Sequence, residues 1–358
     1  MEQVQEKAVL NKSRLNELLG KMVTEMGAAA NGTLILLGDK LNLYKTLVKE
    51  GPLTSEELAN LTGTAERYIW EWLAAQAASG FVEYNPHTNQ FYMLPEQAAI
   101  LGDENSPLLM TGGFYSISSM YHDEPKISEA FKTGKGVPWG DHDNCLFCGV
   151  EKFYGPSYKS SLLSEWLPAL DGIVDKLKSG VLVADVGCGH GVSTMIMAEA
   201  FPNSEFIGYD FHERSIRHAR KIAEDLGLNN ISFEVASAKS YAKRKYQLIT
   251  FFDCLHDLGD PVGATAYALK ALDSDGTCLI VEPFANDNLQ ENLNPIGRAF
   301  YAFSTMICTP NSLSQEVGLA LGAQAGRKKI TEVLMKGGFT SAKVVIETPF
   351  NLIFEARP

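Results

Sequence analysis

The feature that most limits what this chain can fold into is the string Asp185-Val186-Gly187-Cys188-Gly189-His190-Gly191, which follows an apolar, β-prone run and opens a helical one. Alternate glycines allow a tight turn whose backbone N–H groups face a ligand at a helix N-terminus, a place suited to a carboxylate or phosphate. The spacing is G-x-G-x-G rather than the G-x-G-x-x-G expected for dinucleotides, so the loop alone does not name its ligand. Around it, residues 181–186, 205–210, 231–235, 247–253 and 276–282 read as strands separated by helical segments, one of them opened by Pro261. This alternation predicts a parallel α/β sheet with helices on both faces. Residues 326–336 read as a late helix. A closing hairpin over 343–347 and 351–356, turned at Thr348-Pro349-Phe350, sets one antiparallel strand into the sheet.

A second feature sharpens the loop. Asp210 ends the second strand, 23 residues beyond Gly187, where a carboxylate can accept from both hydroxyls of a ribose. Strand, glycine loop, helix, strand and acid together form a nucleoside site. From about residue 181 to the end, the sequence resembles the class I S-adenosylmethionine-dependent methyltransferases, a Rossmann-like fold, whose first motif is an acid followed by G-x-G-x-G and whose second is this carboxylate. The resemblance implies S-adenosyl-L-methionine as cofactor. It sets Asp185 near the methionine ammonium, the loop of Gly187, Cys188, Gly189 and Gly191 around the carboxylate, and Phe211 against adenine. Ser237 and Ala238 stand where the family often has Asp or Asn at the adenine, and Asp253 and Cys254 complete the expected cofactor set.

The fourth strand ends Phe252-Asp253-Cys254-Leu255-His256-Asp257-Leu258-Gly259-Asp260-Pro261, placing polar groups at the carboxyl edge of the sheet, where open α/β folds bind ligands. The string HDLGD resembles the HDWxD segment of winged-helix small-molecule O-methyltransferases, with Leu258 in place of Trp. The resemblance implies His256 as general base, with Asp257 beside it. A histidine of ordinary pKa, about 6.5, is neutral at cytosolic pH and can accept a proton. Alternatively, His256 caps the following helix or touches the cofactor. Over the whole chain, FDCLHDLGDP at 252–261 and ETPFNLIFEARP at 347–358 are similar to strings of a group of bacterial winged-helix methyltransferases well represented in mycobacteria.

Upstream, Leu15, Leu18, Leu19, Met22 and Met26 recur at helical spacing, an apolar stripe that needs a partner surface and points to a homodimer. Thr54 with Glu57 has the form of a capping box, and Thr64 offers another N-cap after Gly63. Two β-prone pieces then flank the turn-rich Asn85-Pro86-His87-Thr88-Asn89, completing a winged helix over 1–102. Its second helix carries Arg67 against Glu66 and Glu71, and the first hundred residues hold 8 Lys and Arg against 12 Asp and Glu, a local net of −4. That lacks the footprint of a phosphate binder. Dimerisation is therefore the expected role of this domain, and a ligand-sensing DNA-binding regulator that retains a cofactor domain is the alternative.

Residues 103–180 look irregular and glycine-rich, a connector and substrate lid ahead of the methyltransferase domain at 181–358. Trp139, His142, Tyr154 and Tyr158, with Phe303 from beyond strand five, are candidate acceptor contacts; Phe300, Tyr301 and Met306 lie near Phe303 in sequence. The run His142-Asp143-Asn144-Cys145-Leu146-Phe147-Cys148 could supply zinc ligands or thiols for metalloid methylation, but no second CxxC completes a tetrahedral set, so no metal site is expected. Six scattered cysteines fit a reducing compartment. With Glu2 and Glu6 at the start there is no basic head or apolar stretch of a leader, and no apolar run reaches the roughly 20 residues of a membrane span, so a cytoplasmic location is expected. The net charge of −12 disfavours bulk nucleic-acid binding and leaves a small molecule as the expected methyl acceptor.

Overall fold

The computed structural model describes residues 10–358; Glu2 and Glu6 lie outside that range. The chain divides into two compact units, the first ending at Phe114 and the second running from Tyr115 to Pro358.

The first unit holds α1 (Lys12–Lys40), α2 (Leu43–Glu50), α3 (Ser55–Thr62), α4 (Glu66–Ala78), the hairpin β1 (Glu83–Asn85) and β2 (Gln90–Tyr92), and α5 (Pro95–Leu101). Thr54 and Glu57 form the reciprocal capping box at α3. The N-cap of α4 is Ala65 and makes no side-chain hydrogen bond. Thr64 instead sets its hydroxyl 2.8 Å from that of Thr62, so its expected capping role is corrected. Helix, turn, helix and hairpin close on a core that includes Tyr44, Leu58, Trp72, Leu73 and Phe91. Inside it Tyr44 donates to Gln76 (2.6 Å) and Gln76 to Asn31 (2.7 Å), which satisfies the polar groups these helices bury. Along α1 the predicted stripe stays exposed, with Leu18 and Met26 63% and 67% accessible.

Helix α6 (Thr111–Thr133) spans the division, and α7 (Cys145–Ser161) and α8 (Ile173–Ser179) follow. Residues 103–180 are thus largely helical, not irregular. Pro125 and Pro156 inside α6 and α7, with scattered glycines, obscured a helical pattern that burial of Leu146, Tyr158, Trp166 and Leu177 enforces. A sheet then builds from β3 (Leu182–Val186), β4 (Glu205–Asp210), β5 (Ile231–Val235), β6 (Tyr246–Phe252), β7 (Leu272–Pro283), β8 (Ser341–Glu347) and β9 (Asn351–Arg357). Its order is β5-β4-β3-β6-β7-β9-β8, and β9 alone runs against its neighbours. The helices between these strands are α9 (Val192–Ala200), α10 (Glu213–Asp225), α11 (Pro261–Ala271), α12 (Pro295–Phe303), α13 (Thr309–Leu313) and α14 (Gly326–Lys336).

Two apolar layers cover the two faces of this sheet, one around Ile249, Phe251 and Phe354, the other around Leu248, Leu279 and Ile353. Neighbouring residues of a strand therefore point to opposite cores, which explains the unbroken apolar runs of β6 and β7. The order reverses between β3 and β6, where crevices at the carboxyl ends of the strands hold ligands in such folds.

Candidate active site

A cavity opens at that edge, walled by the loop after β3, the ends of β4 and β6, and helix α7. The loop is shaped from below. Gly191 has φ +78, and a Cβ there would lie 2.5 Å from the Phe233 ring, so this position requires glycine. Gly189, at φ +54, has nothing within 4 Å of where a Cβ would stand. Its N–H donates to Asp210 Oδ2 (2.9 Å), while Asp210 Oδ1 accepts from the His212 N–H (2.8 Å). Burial raises the Asp210 pKa against these two donors. Cys188, Phe211, Ser215 and Val192 complete this wall. Facing the loop, the Glu151 carboxylate of α7 accepts from His190 Nδ1 (2.8 Å), a contact that holds its pKa below the usual value and ties the helix to the loop.

Asp185 does not stand in the cavity wall. Its carboxylate is fully buried and accepts from Ser193 (2.7 Å), Thr194 (2.6 Å) and Thr250 (2.9 Å). Three hydroxyls, from α9 and β6, thus occupy its oxygens.

The opposite wall carries Asp253, Asp257, Tyr154, Tyr158 and Phe252. Asp253 follows β6 directly, its N–H donating to Val281 O (2.7 Å), and turns the chain at φ +48. Its Oδ2 accepts from Tyr158 (2.8 Å) and its Oδ1 from Asn351 (3.0 Å). Burial pushes its pKa up to about 8. Cys254 also lines the cavity and donates to Val186 O (3.2 Å), and burial drives the Cys188 and Cys254 thiols well upward.

His256 is only 3% exposed and lies behind this wall. Its Nδ1 pairs with Glu282 (2.7 Å), at the end of β7, and its Nε2 stands 3.2 Å from Asp257 Oδ1. Burial alone lowers an imidazole, but Asp257 and Glu282 outweigh it and hold the ring well above 6.5. A π-helical turn over Ser304–Cys308 brings the buried Cys308 thiol to the same ring.

Other expected residues scatter. Trp139, Tyr154 and Tyr158 line the cavity, whereas His142 is buried away from it with Nδ1 2.9 Å from Asp123. Phe303 belongs to a separate groove with Tyr301, Met306, Met120 and Tyr121, and Phe300 to a small core beside it. His142 lies in the bend before α7 and Phe303 at the end of α12, and sequence adjacency to cavity residues did not decide where either side chain points. Ser237 and Ala238 line a neighbouring hollow that shares Phe211 and Leu258 with the main one. Among the described residues, ligating atoms converge at Glu151, His190 and His218 and at His256, Asp257 and Cys308; neither group includes Cys145 or Cys148. Sequence reasoning missed Glu282, Asn351 and Asn311. The first stands at a strand's carboxyl end, a legible signal, and the second inside the terminal ETPFNL string.

Comparison with known proteins agrees with this architecture. Residues 177–338 match a methyltransferase domain and residues 29–102 an Rv2258c-like winged HTH domain. Solved structures of similar fold include mitomycin 7-O-methyltransferase MmcR (17% identity, 97% of this chain and 100% of that one, TM-score 0.68). Human N-acetylserotonin methyltransferase in complex with SAM (15%, 100% and 99%, 0.66) and an O-methyltransferase family protein from Burkholderia thailandensis (15%, 98% and 98%, 0.65) share it too. Curated relatives match locally: a probable (S)-tetrahydroprotoberberine N-methyltransferase 2 of Papaver bracteatum is 30% identical over 70 residues, 20% of each chain. A tRNA (guanine-N(7)-)-methyltransferase of Rubrobacter xylanophilus is 40% identical over 52 residues, 14% of this chain and 23% of that one. The chain thus spans only about a fifth of the length of these curated relatives. With the glycine loop, the acid after β4 and both matches in place, the chain carries a methyltransferase domain behind an N-terminal Rv2258c-like winged HTH domain.

Proposed function

We propose that the chain methylates a hydroxyl group of a small, partly apolar acceptor. The observation that carries this reading is the two-sided cavity: a glycine loop and ribose-type acid on one wall, aromatic rings and carboxyls on the other. The loop of Gly187, Cys188, Gly189 and Gly191, with Asp210, would hold S-adenosylmethionine. Phe211, Ser237 and Ala238 would flank its adenine, with Asp253 and Cys254 at its methionine end. The open face of Gly189 fits such a ligand, since no protein atom fills it. When bound, the cofactor supplies an already activated methyl group, so the protein's work is to orient the acceptor and receive its proton.

Tyr154 and Tyr158, stacked at 5.9 Å and 13°, offer an apolar slot, and Trp139 stands further along the same cavity. Among the described residues no Lys or Arg lines it, which argues against an anionic acceptor. His256, its Nδ1 held by Glu282 at 2.7 Å, enters as the candidate general base, with Asp257 beside it. His256→Gln is expected to leave affinity for S-adenosylhomocysteine nearly unchanged while turnover falls by the roughly 10² to 10⁴ of a lost general base; a fall of about tenfold or less would leave the ring a structural role. A screen of hydroxyl, amine and thiol acceptors with labelled cofactor tests the reaction class. Transfer to thiols or amines alone would overturn the hydroxyl reading.

The exposed stripe of α1 supports a homodimer of this small-molecule enzyme. Light scattering is expected to give twice 39.2 kDa. A monomer at micromolar concentration removes the partner role assigned to the stripe. DNA binding gains no support from α4, where Arg67 is paired with Glu71 on the exposed surface. No helix among the described residues is long and apolar enough to cross a membrane, in keeping with the proposed cytoplasmic location.

A further inference from the structure

We propose that Glu151, His190 and His218 bind a divalent cation of the zinc type, and that the ion clasps the helix covering the cavity to the glycine loop. The proposal goes beyond the methyl-transfer reading and does not depend on which atom is methylated. Three separate elements bring these side chains together: Glu151 comes from α7, His190 from the loop between Gly189 and Gly191, and His218 from the middle of α10. One ligating atom of each lies within 4.8 Å of the other two. Both imidazoles address the same carboxylate oxygen, Oε2 of Glu151, from His190 Nδ1 at 2.8 Å and from His218 Nε2 at 3.9 Å. Their ring centroids are 4.2 Å apart and the planes are tilted by 37°. Ligands of a tetrahedral zinc ion, each about 2.0–2.2 Å from the metal, stand about 3.3 Å from one another. The two separations at Glu151 bracket that value, so small side-chain adjustments would seat the ion.

The donor set names the class of ion. Two imidazoles and one carboxylate suit zinc and its first-row neighbours, whereas calcium and magnesium prefer oxygen ligands throughout. A further imidazole, His212, is used otherwise: its Nδ1 stands 2.8 Å from the Ser215 hydroxyl and its ring stacks on Phe147 at 4.6 Å. The site is also reachable, since the side chains of Glu151 and His218 are 35% and 42% accessible. Glu151 and His190 line the cavity, so an ion held by them borders the cofactor wall. The contact between these two is a partly exposed pair, of the kind that contributes little to holding two elements together. An ion adds coordination bonds to that joint and brings α10 into it. Moving α7 away from the loop then requires breaking a metal–ligand bond, and the spent cofactor leaves more slowly.

Calorimetric titration of the tag-free protein with zinc chloride tests the site. Wild type is expected to take up one equivalent with a Kd of about 1 μM or tighter, and to take up no magnesium. His218→Gln is the first variant, since this side chain lies outside the cavity wall and its replacement is expected to leave the metal-free melting temperature within about 2 °C of wild type. This variant and Glu151→Gln are each expected to weaken zinc binding at least about 100-fold, the upper end of what loss of a ligand's outer partner costs. Cobalt(II) identifies the ligands. Wild type is expected to show the visible bands of a nitrogen- and oxygen-bound ion without the near-ultraviolet charge-transfer band of thiolate ligands, and His218→Gln to lose them. The clasp is read from stopped-flow release of S-adenosylhomocysteine, expected to be at least about tenfold slower with zinc in wild type and unaltered by zinc in His218→Gln. No zinc uptake, uptake unaltered in both variants, or a thiolate band that places the metal on a cysteine overturns the site. Zinc bound at the site with release unaltered overturns the clasp. The zinc titration needs no cofactor, so its failure is separate from any failure of the methyl-transfer reading.

Discussion

Asp210→Ala is expected to weaken S-adenosylhomocysteine binding at least about 100-fold by calorimetry while leaving the protein folded. Two losses add. The carboxylate would accept charge-assisted bonds from the ribose hydroxyls, each worth about 1.5–3 kcal/mol. It also receives the Gly189 N–H, so its removal frees the loop that shapes the rest of the cofactor wall. Asp210→Asn separates these, because an amide oxygen still accepts from Gly189 but carries no charge, and an intermediate affinity is expected. The same ranking should appear as a thermal shift, since a ligand at 1,000 times its Kd stabilises the native state by about 4.1 kcal/mol and one near its Kd hardly does. Unchanged affinity in Asp210→Ala would remove the cofactor assignment from this wall.

The parts of this site that were legible before folding are those fixed by backbone geometry. Glycines at 187, 189 and 191 announce a turn because side chains cannot follow it, and Asp210 announces itself by standing at a strand's end a fixed distance on. The sheet, with its one antiparallel member, follows from apolar runs of strand length between helical segments. What remained hidden depends on direction and on neighbours distant in sequence. Asn351 meets Asp253 across 98 positions and Tyr158 meets it across 95, and nothing local to either residue reports the encounter. His256 was visible as a histidine at the sheet edge, but its charge is set by Glu282, 26 residues on, so its protonation state could not be read from its own motif. The helices at 111–133 and 145–161 were obscured because each contains a proline, and for the second of them burial of Tyr158 in the sheet's core overrides that local signal.

The largest stability effect is expected at Asp185, the first acid of the glycine-loop motif. Its side chain joins β3 to the opening of α9 and to β6 through Ser193, Thr194 and Thr250, so removing it strands three hydroxyls inside the sheet. Each buried group left unpaired costs about 1–3 kcal/mol, which makes a loss of about 3 kcal/mol or more the expected result for Asp185→Ala. In a unit of this size that corresponds to a fall in melting temperature of roughly 6–12 °C. Asp185→Asn is expected to behave differently. Burial raises the Asp185 pKa against its three donors. A folded pKa above the unfolded 3.8 means that its contribution to stability is fully present below 3.8 and declines as pH rises through the folded value, so at neutral pH the charged form carries a burial cost. An amide avoids that cost, keeps an oxygen for Thr250, and offers an NH₂ to the hydroxyl oxygens of Ser193 and Thr194. It should therefore melt within a few degrees of wild type at pH 7. Both variants, compared at a temperature where they are folded, are expected to bind S-adenosylhomocysteine in the order Asn above Ala, because the start of α9 is what Asp185 secures. A normal melting temperature for Asp185→Ala combined with lost affinity would show that this carboxylate serves the ligand directly and not the turn beneath it.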